Sequence, residues 1–374
     1  MTDLWMHPAA FYILGAFLIP FLKGRAKQIF LLLVGAAAFL TVVSMSQGVY
    51  GTVRFIGLDL VFGRVDKLSL VFANVFTLMA LIGIIYSLHV EDDGQHIAAF
   101  LYVGGSLGAT FAGDYVTLFI FWEVMAFASV FLVWFRRTKE AVDAGYRYLL
   151  VHVAGGLILL AGIALRYGET GSFAFTSISP EGATLATYLI MIGFCLNAAV
   201  PPIHGWLPDA YPKATVTGAV FMSAFTTKTA VYTLARGFAG FEILAVLGAI
   251  MAVYGVCYAV IENDARKILA YHIVSQVGYM VAGIGIGTAM AVNGAISHAY
   301  AHIIYKGLLF MGVGAVLEMT GRSKLNELGG LYKYMPLTLF FTVTGGIAIS
   351  GFPLTSGFIS KSMTVAAAGE AHKI

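Results

Sequence analysis

Apolar residues run along this chain in stretches of about 20, cut by short polar segments, from one end to the other. At 1.5 Å of rise per residue, about 20 apolar residues let a helix cross a bilayer core. Twelve stretches approach that length: 9–22, 28–46, 66–88, 97–112, 114–135, 145–166, 184–203, 215–238, 241–261, 268–290, 292–319 and 335–365. The pattern predicts an all-α membrane protein with about 12 transmembrane helices. Residues 50–64 alternate around Gly57 instead, and predict a short external hairpin.

Composition agrees. Of 374 residues, 59% are hydrophobic and 11% charged, against roughly 25% charged in a soluble domain. Too little charge remains to wet a surface of this size, which excludes a soluble globular domain, a disordered chain and a nucleic-acid binder. Lipid is the expected surrounding. Cys195 and Cys257 both lie in apolar runs, so neither a disulfide framework nor a cysteine metal site is expected. The chain opens without a basic residue, and no small-residue cleavage site follows its first apolar run, so no secretory leader is expected. No phosphate loop, zinc-protease signature or dinucleotide fingerprint is present. A nucleotide-driven pump, organic catalysis and a bound cofactor are therefore not expected of this chain.

Charge position orients it. Connections after the odd spans hold 13 basic residues, those after the even spans 5. Basic residues favour the cytoplasmic side, so both termini are expected outside a multi-pass protein of the cell (inner) membrane. The acidic connection 89–96 fits poorly, but acidic residues weigh little in that rule.

Three lysines and one acid are left inside spans: Lys228, Lys306, Lys361 and Glu123. An ionisable group in hydrocarbon costs a few kcal/mol, so function is the default reading. Its competitor is a buried ion pair locking two helices, and one acid cannot pair with three lysines. His298, His302 and Lys306 add a local pattern. A step of four residues advances a helix by only about 40°, so the three side chains share one stripe about 12 Å long. Histidine titrates near neutrality and a desolvated lysine gives up its proton readily, so the stripe reads as a proton relay. The same spacing suits metal ligands, but no carboxylate or cysteine accompanies it on that face. Helix–helix hydrogen bonding by the histidines is the stronger rival.

Backbone breaks point the same way. Pro201 and Pro202 interrupt the seventh span, and Gly351 and Pro353 the twelfth. Non-helical backbone at membrane depth persists only where protein or water satisfies it.

Three segments now carry a resemblance: His204-Gly-Trp-Leu-Pro-Asp-Ala, Asp264 through Tyr279, and Gly351-Phe-Pro-Leu-Thr-Ser-Gly-Phe-Ile-Ser-Lys361. From about Asp66 to Lys361 the chain resembles the antiporter-like membrane subunits. These are the large subunits of Mrp-type sodium/proton antiporters, with the D-type nearest, and the proton-pumping subunits of respiratory complex I and membrane-bound hydrogenases. The resemblance implies inverted five-helix repeats with broken helices 7 and 12. It divides the chain into residues 1–96 (helices 1–3 and the hairpin), 97–238 (first repeat) and 239–374 (second repeat). It implies a proton pathway through Glu123, Lys228, His298, His302, Lys306 and Lys361. Asn197 departs from it, standing where the family carries a lysine seven residues before the His-x-Trp-Leu-Pro segment. The family's fourteen helices also exceed the twelve spans, so the second repeat reads as incomplete.

The expected function is proton translocation within a multisubunit membrane complex, as Mrp-type exchange of protons for sodium. The expected partners are other integral membrane subunits. The alternatives are a pumping subunit of a redox-driven NADH-quinone oxidoreductase or hydrogenase, and a non-translocating scaffold subunit.

Overall fold

A computed structural model describes residues 5–55 and 57–371. It is mostly helical. From the N-terminus, α1 (Pro8–Leu18) and α2 (Gly24–Ser44) precede strands β1 (Gly48–Phe55) and β2 (Leu58–Val65). Then come α3 (Lys67–Ser87), α4 (Asp93–Phe111), α5 (Tyr115–Trp134), α6 (Lys139–Thr170) and α7 (Leu185–Asn197). The short α8 (Trp206–Ala210) leads to α9 (Val216–Ala224) and α10 (Thr226–Gly237). The remainder is α11 (Glu242–Ile261), α12 (Ala265–Ile286), α13 (Ala289–Thr320), α14 (Pro336–Ser350) and α15 (Ser356–Glu370).

Seven of these among the described residues are long and apolar enough to cross a membrane: α2, α3, α5, α6, α11, α12 and α13. The chain is a multi-pass membrane protein. The hairpin forms as expected, with antiparallel pairs such as Val49↔Arg64 and Phe55↔Leu58. Met1–Leu4, on which part of the N-terminal expectation rests, lie outside the described residues, as does Lys373.

Polar caps set where the helices begin. Asp66, Asp114, Thr138, Thr184, Thr215, Asp264, Thr288 and Thr355 each accept a backbone N–H from the first turn of the following helix. Such a cap satisfies donors that hydrocarbon could not. Helix ends use glycine: Gly171, Gly287, Gly321 and Gly351 adopt positive φ after α6, α12, α13 and α14.

Landmarks around α5–α6 recur around α12–α13 at a fixed spacing of 150 residues. Asp114 and Asp264 are N-caps. Asp114 bridges Ala174, as Asp264 bridges Lys324. Thr138 and Thr288 cap α6 and α13, each 32 residues long and each closed by a left-handed glycine, Gly171 and Gly321. Thr170 and Thr320 turn their hydroxyls back on Arg166 O and Val316 O.

The core centres on α10, of which every residue is buried. It packs against α3, α4, α7, α9, α12 and α13. Its C-terminal end is tied down by Arg236, whose Nη1 and Nη2 donate to the two oxygens of Asp66 at 2.8 Å each. On the other side α11 and α12 approach closely: a Cβ added at Gly255 would collide with the backbone of Ser275, so only glycine permits this spacing.

Candidate proton pathway

The expected breaks after α7 and α14 are present. Residues 198–205, which include Pro201 and Pro202, separate α7 from α8. There Ala199 adopts φ +57, which costs a non-glycine residue about 1–2 kcal/mol. Gly351 and Pro353 lie between α14 and α15. A third break was not expected. The span 215–238, read as one helix, is two, interrupted at Phe225 with φ −103 and ψ −67. No proline or glycine marks it. Side chains satisfy the backbone instead, one from α4 and one from just past the break: Thr226 N donates to Tyr102 Oη at 2.9 Å, and Ser223 O accepts Lys228 Nζ at 2.7 Å.

Lys228 is therefore a helix cap as well as a buried amine; it is wholly enclosed. Lys361 repeats the arrangement. Its Nζ donates to Ile349 O at 2.6 Å, across the α14–α15 break. Each ammonium thus meets the C-terminal carbonyls of a broken helix, where the helix dipole favours positive charge.

Between the two lysines stands the stripe on α13. His298, His302 and Lys306 are all fully buried. The His298 and His302 rings are 6.1 Å apart between centroids. The Lys361 ammonium stands 5.6 Å from the centroid of the Tyr279 ring, which in turn lies 6.0 Å from His298. His298 Nδ1 and Ser360 Oγ are 2.9 Å apart. The Ser360 hydroxyl also lies 3.0 Å from Ser356 O; where it donates there, Nδ1 is the donor and Nε2 keeps its lone pair. His298 Nε2, both His302 nitrogens and Lys306 Nζ have no protein hydrogen-bond partner among the described residues. The helix that carries the stripe packs against both α10, which carries Lys228, and α15, which carries Lys361.

The first half is different. Glu123, on α5, is only half-buried, although its sequence context suggested deep enclosure. Its Oε1 is enclosed and unpartnered. The carboxylate lies over Gly156 of α6, where an added Cβ would collide with Oε1. No ion pair joins it to Lys228, whose ammonium is held at Ser223. Asn197, the last residue of α7, is buried with both amide atoms unpartnered.

A cluster that the sequence reading passed over fills this half. On α6, His152 and Tyr148 are buried one turn apart, with their rings stacked at 3.9 Å. Tyr148 Oη and Ser129 Oγ are 2.8 Å apart, and Tyr102 Oη and Thr226 Oγ1 2.6 Å. The available signal was Tyr148 and His152 at the same four-residue step as the α13 stripe, but a search for charged groups alone overlooks it.

Residues 112–374 match the family profile described as NADH:quinone oxidoreductase/Mrp antiporter, TM. The chain is 29% identical to the D-type subunit of the Na(+)/H(+) antiporter of Alkalihalophilus pseudofirmus, over 96% of this chain and 78% of that protein. It is 31% identical to the A-type subunit from the same organism, over 93% of this chain but 49% of that protein, so it spans about half the length of that relative. Among solved structures, a chain of the Mrp complex from Dietzia sp. DQ12-45-1b is similar, with TM-score 0.85 and 26% identity over 99% of this chain and 76% of that one.

Proposed function

The chain belongs to the NADH:quinone oxidoreductase/Mrp antiporter transmembrane family, and from that premise we propose that it conducts protons as an antiporter-like subunit of a multisubunit complex in the cell membrane. The exchange is of the Mrp type, protons against sodium. The chain crosses the bilayer twelve times, as three N-terminal helices, a first five-helix repeat and four helices of a second, inverted one, with both termini outside.

One observation carries this reading. Titratable groups are taken to follow one another from Lys228 through Lys306, His302 and His298 to Lys361: the two end amines cap broken helices, and between them Lys306 Nζ, both His302 nitrogens and His298 Nε2 are buried without a protein partner among the described residues. Buried polar atoms without protein partners are costly unless hydrated. A hydrated file of groups that give and accept protons is what hopping needs. A structural role for the lysines would call for acids, and Glu123 alone among the acids lies away from the ends of the spans. Each proton bound disfavours the next site, so charge advances without large backbone motion.

The test is transport by the assembled complex in inverted membrane vesicles. Lys306→Met should abolish sodium-driven proton movement while leaving the co-purifying subunits in place. Wild-type transport in that variant would assign the chain to a scaffold role. The family also includes redox-driven members, and flavin or iron–sulfur absorbance in the purified complex would move this chain to that reading.

A further inference from the structure

The landmarks 150 residues apart pair three positions of α6 with the stripe on α13: Tyr148 with His298, His152 with His302, and Gly156 with Lys306. The pairing follows from helices of equal length whose caps and closing glycines keep that spacing. At the third position the lysine is replaced by a glycine, and the space is taken by the Glu123 carboxylate. At the second position a histidine persists.

That histidine, His152, is deeply enclosed. It is 1% exposed, held between the Tyr148 ring and the Trp206 edge, the latter 4.5 Å away by centroids. Trp206 Nε1 donates to Leu196 O at 3.0 Å, which holds the end of α7, with Asn197, beside this ring. His152 Nδ1 lies 2.8 Å from Tyr148 O. A carbonyl can only accept, so Nδ1 carries the hydrogen and Nε2 presents a bare lone pair. That Nε2 is buried and has no protein partner among the described residues. Most buried polar side-chain atoms have a partner, so an unsatisfied nitrogen at full burial calls for an explanation.

We infer that His152 carries protons between Glu123 and Lys228, with the hydroxyls of Tyr148, Ser129, Tyr102 and Thr226 lining the way to Lys228. This inference rests on the proton-conducting reading above. Nε2 accepts a proton released by the Glu123 carboxyl through water, which leaves a carboxylate and an imidazolium. The imidazolium then releases that proton from Nε2 to water among the hydroxyls, and Lys228 Nζ takes it up. His152 ends neutral, and one proton has moved.

The experiment compares His152→Phe, the same change combined with Asn197→Lys, and Lys228→Met, in the assembled complex in inverted vesicles. Phenylalanine preserves the stack on Tyr148 and Trp206, so assembly is checked by the co-purifying subunits. His152→Phe should slow transport by about a hundredfold, the low end of what a positioned proton-transfer group contributes. Adding Asn197→Lys should recover much of that loss, because a second titratable group then spans the same gap. Mere packing damage would not be rescued this way. Wild-type transport in His152→Phe, or a loss that Asn197→Lys leaves untouched, overturns the inference while Lys228→Met inactivity keeps the parent reading. Wild-type transport in Lys228→Met removes both.

Discussion

Lys228 donates its ammonium to the carbonyl of Ser223, 2.7 Å away, across a break in its own helix. The bond closes the C-terminal end of α9 and holds the amine at the centre of the buried core. Capping and proton transfer therefore act on the same nitrogen, and they can be separated. Lys228→Arg retains a donor for Ser223 O but stays charged at every accessible pH. The expected outcome is a complex that assembles normally and moves no protons, measured as sodium-driven pH change in vesicles. Transport at the wild-type rate would mean that Lys228 need not deprotonate.

Gly156 gives a second separation. A methyl group there would collide with Glu123 Oε1, the far end of a flexible side chain. Alanine also gains up to about 1 kcal/mol of helix propensity over glycine. Gly156→Ala should thus fold at least as well as the parent, while the displaced carboxylate lowers transport. Thermal unfolding in detergent and vesicle transport, measured side by side, check the two halves of that statement.

The loop into α9 depends on a guanidinium from the other half of the chain. Arg266, 2% exposed on α12, donates through Nη2 to Ala214 O at 2.9 Å and Thr215 O at 3.1 Å. Hydrogen bonds from charged groups contribute about 1.5–3 kcal/mol, and methionine supplies none. Arg266→Met should lower stability by about 2–3 kcal/mol and be visible as a lower Tm of the purified complex.

Outside the spans, Asp209 provides a pH test. Burial alone would raise its pKa, but hydrogen bonds from Arg147 and Lys213 outweigh this and hold it below the ordinary aspartate value. A depressed carboxylate contributes stability that is complete above its unfolded pKa and fades as pH falls through the folded value. Asp209→Asn should therefore cost about 0.2–1 kcal/mol at neutral pH, the range for a solvent-accessible ion pair. The cost should vanish in strong acid. A Tm difference between variant and parent that stays constant with pH would contradict the assignment.

The residue order alone settled much of this molecule. Runs of apolar residues near 20 long placed the helices, because in lipid a backbone must satisfy its own hydrogen bonds within each segment. Alternation around Gly57 placed the hairpin. The four-residue step from His298 to Lys306 aligned the stripe, because helix geometry is local and a spacing reads directly as a direction. Prolines 201, 202 and 353 announced two breaks, since a missing N–H is visible in the residue itself.

What tertiary structure decided depends on partners far away along the chain. The break at Phe225 exists because Tyr102, more than a hundred residues earlier, accepts the freed N–H while Lys228 takes the freed carbonyl. Glu123 is half-open because of where α5 lies against α6, and hydropathy counts only neighbours along the chain. His152 acquires a free, buried nitrogen from the packing of Tyr148, Trp206 and the end of α7 around it. A linear pattern encodes which residues prefer to be buried; only the folded arrangement determines what each buried polar group finds beside it.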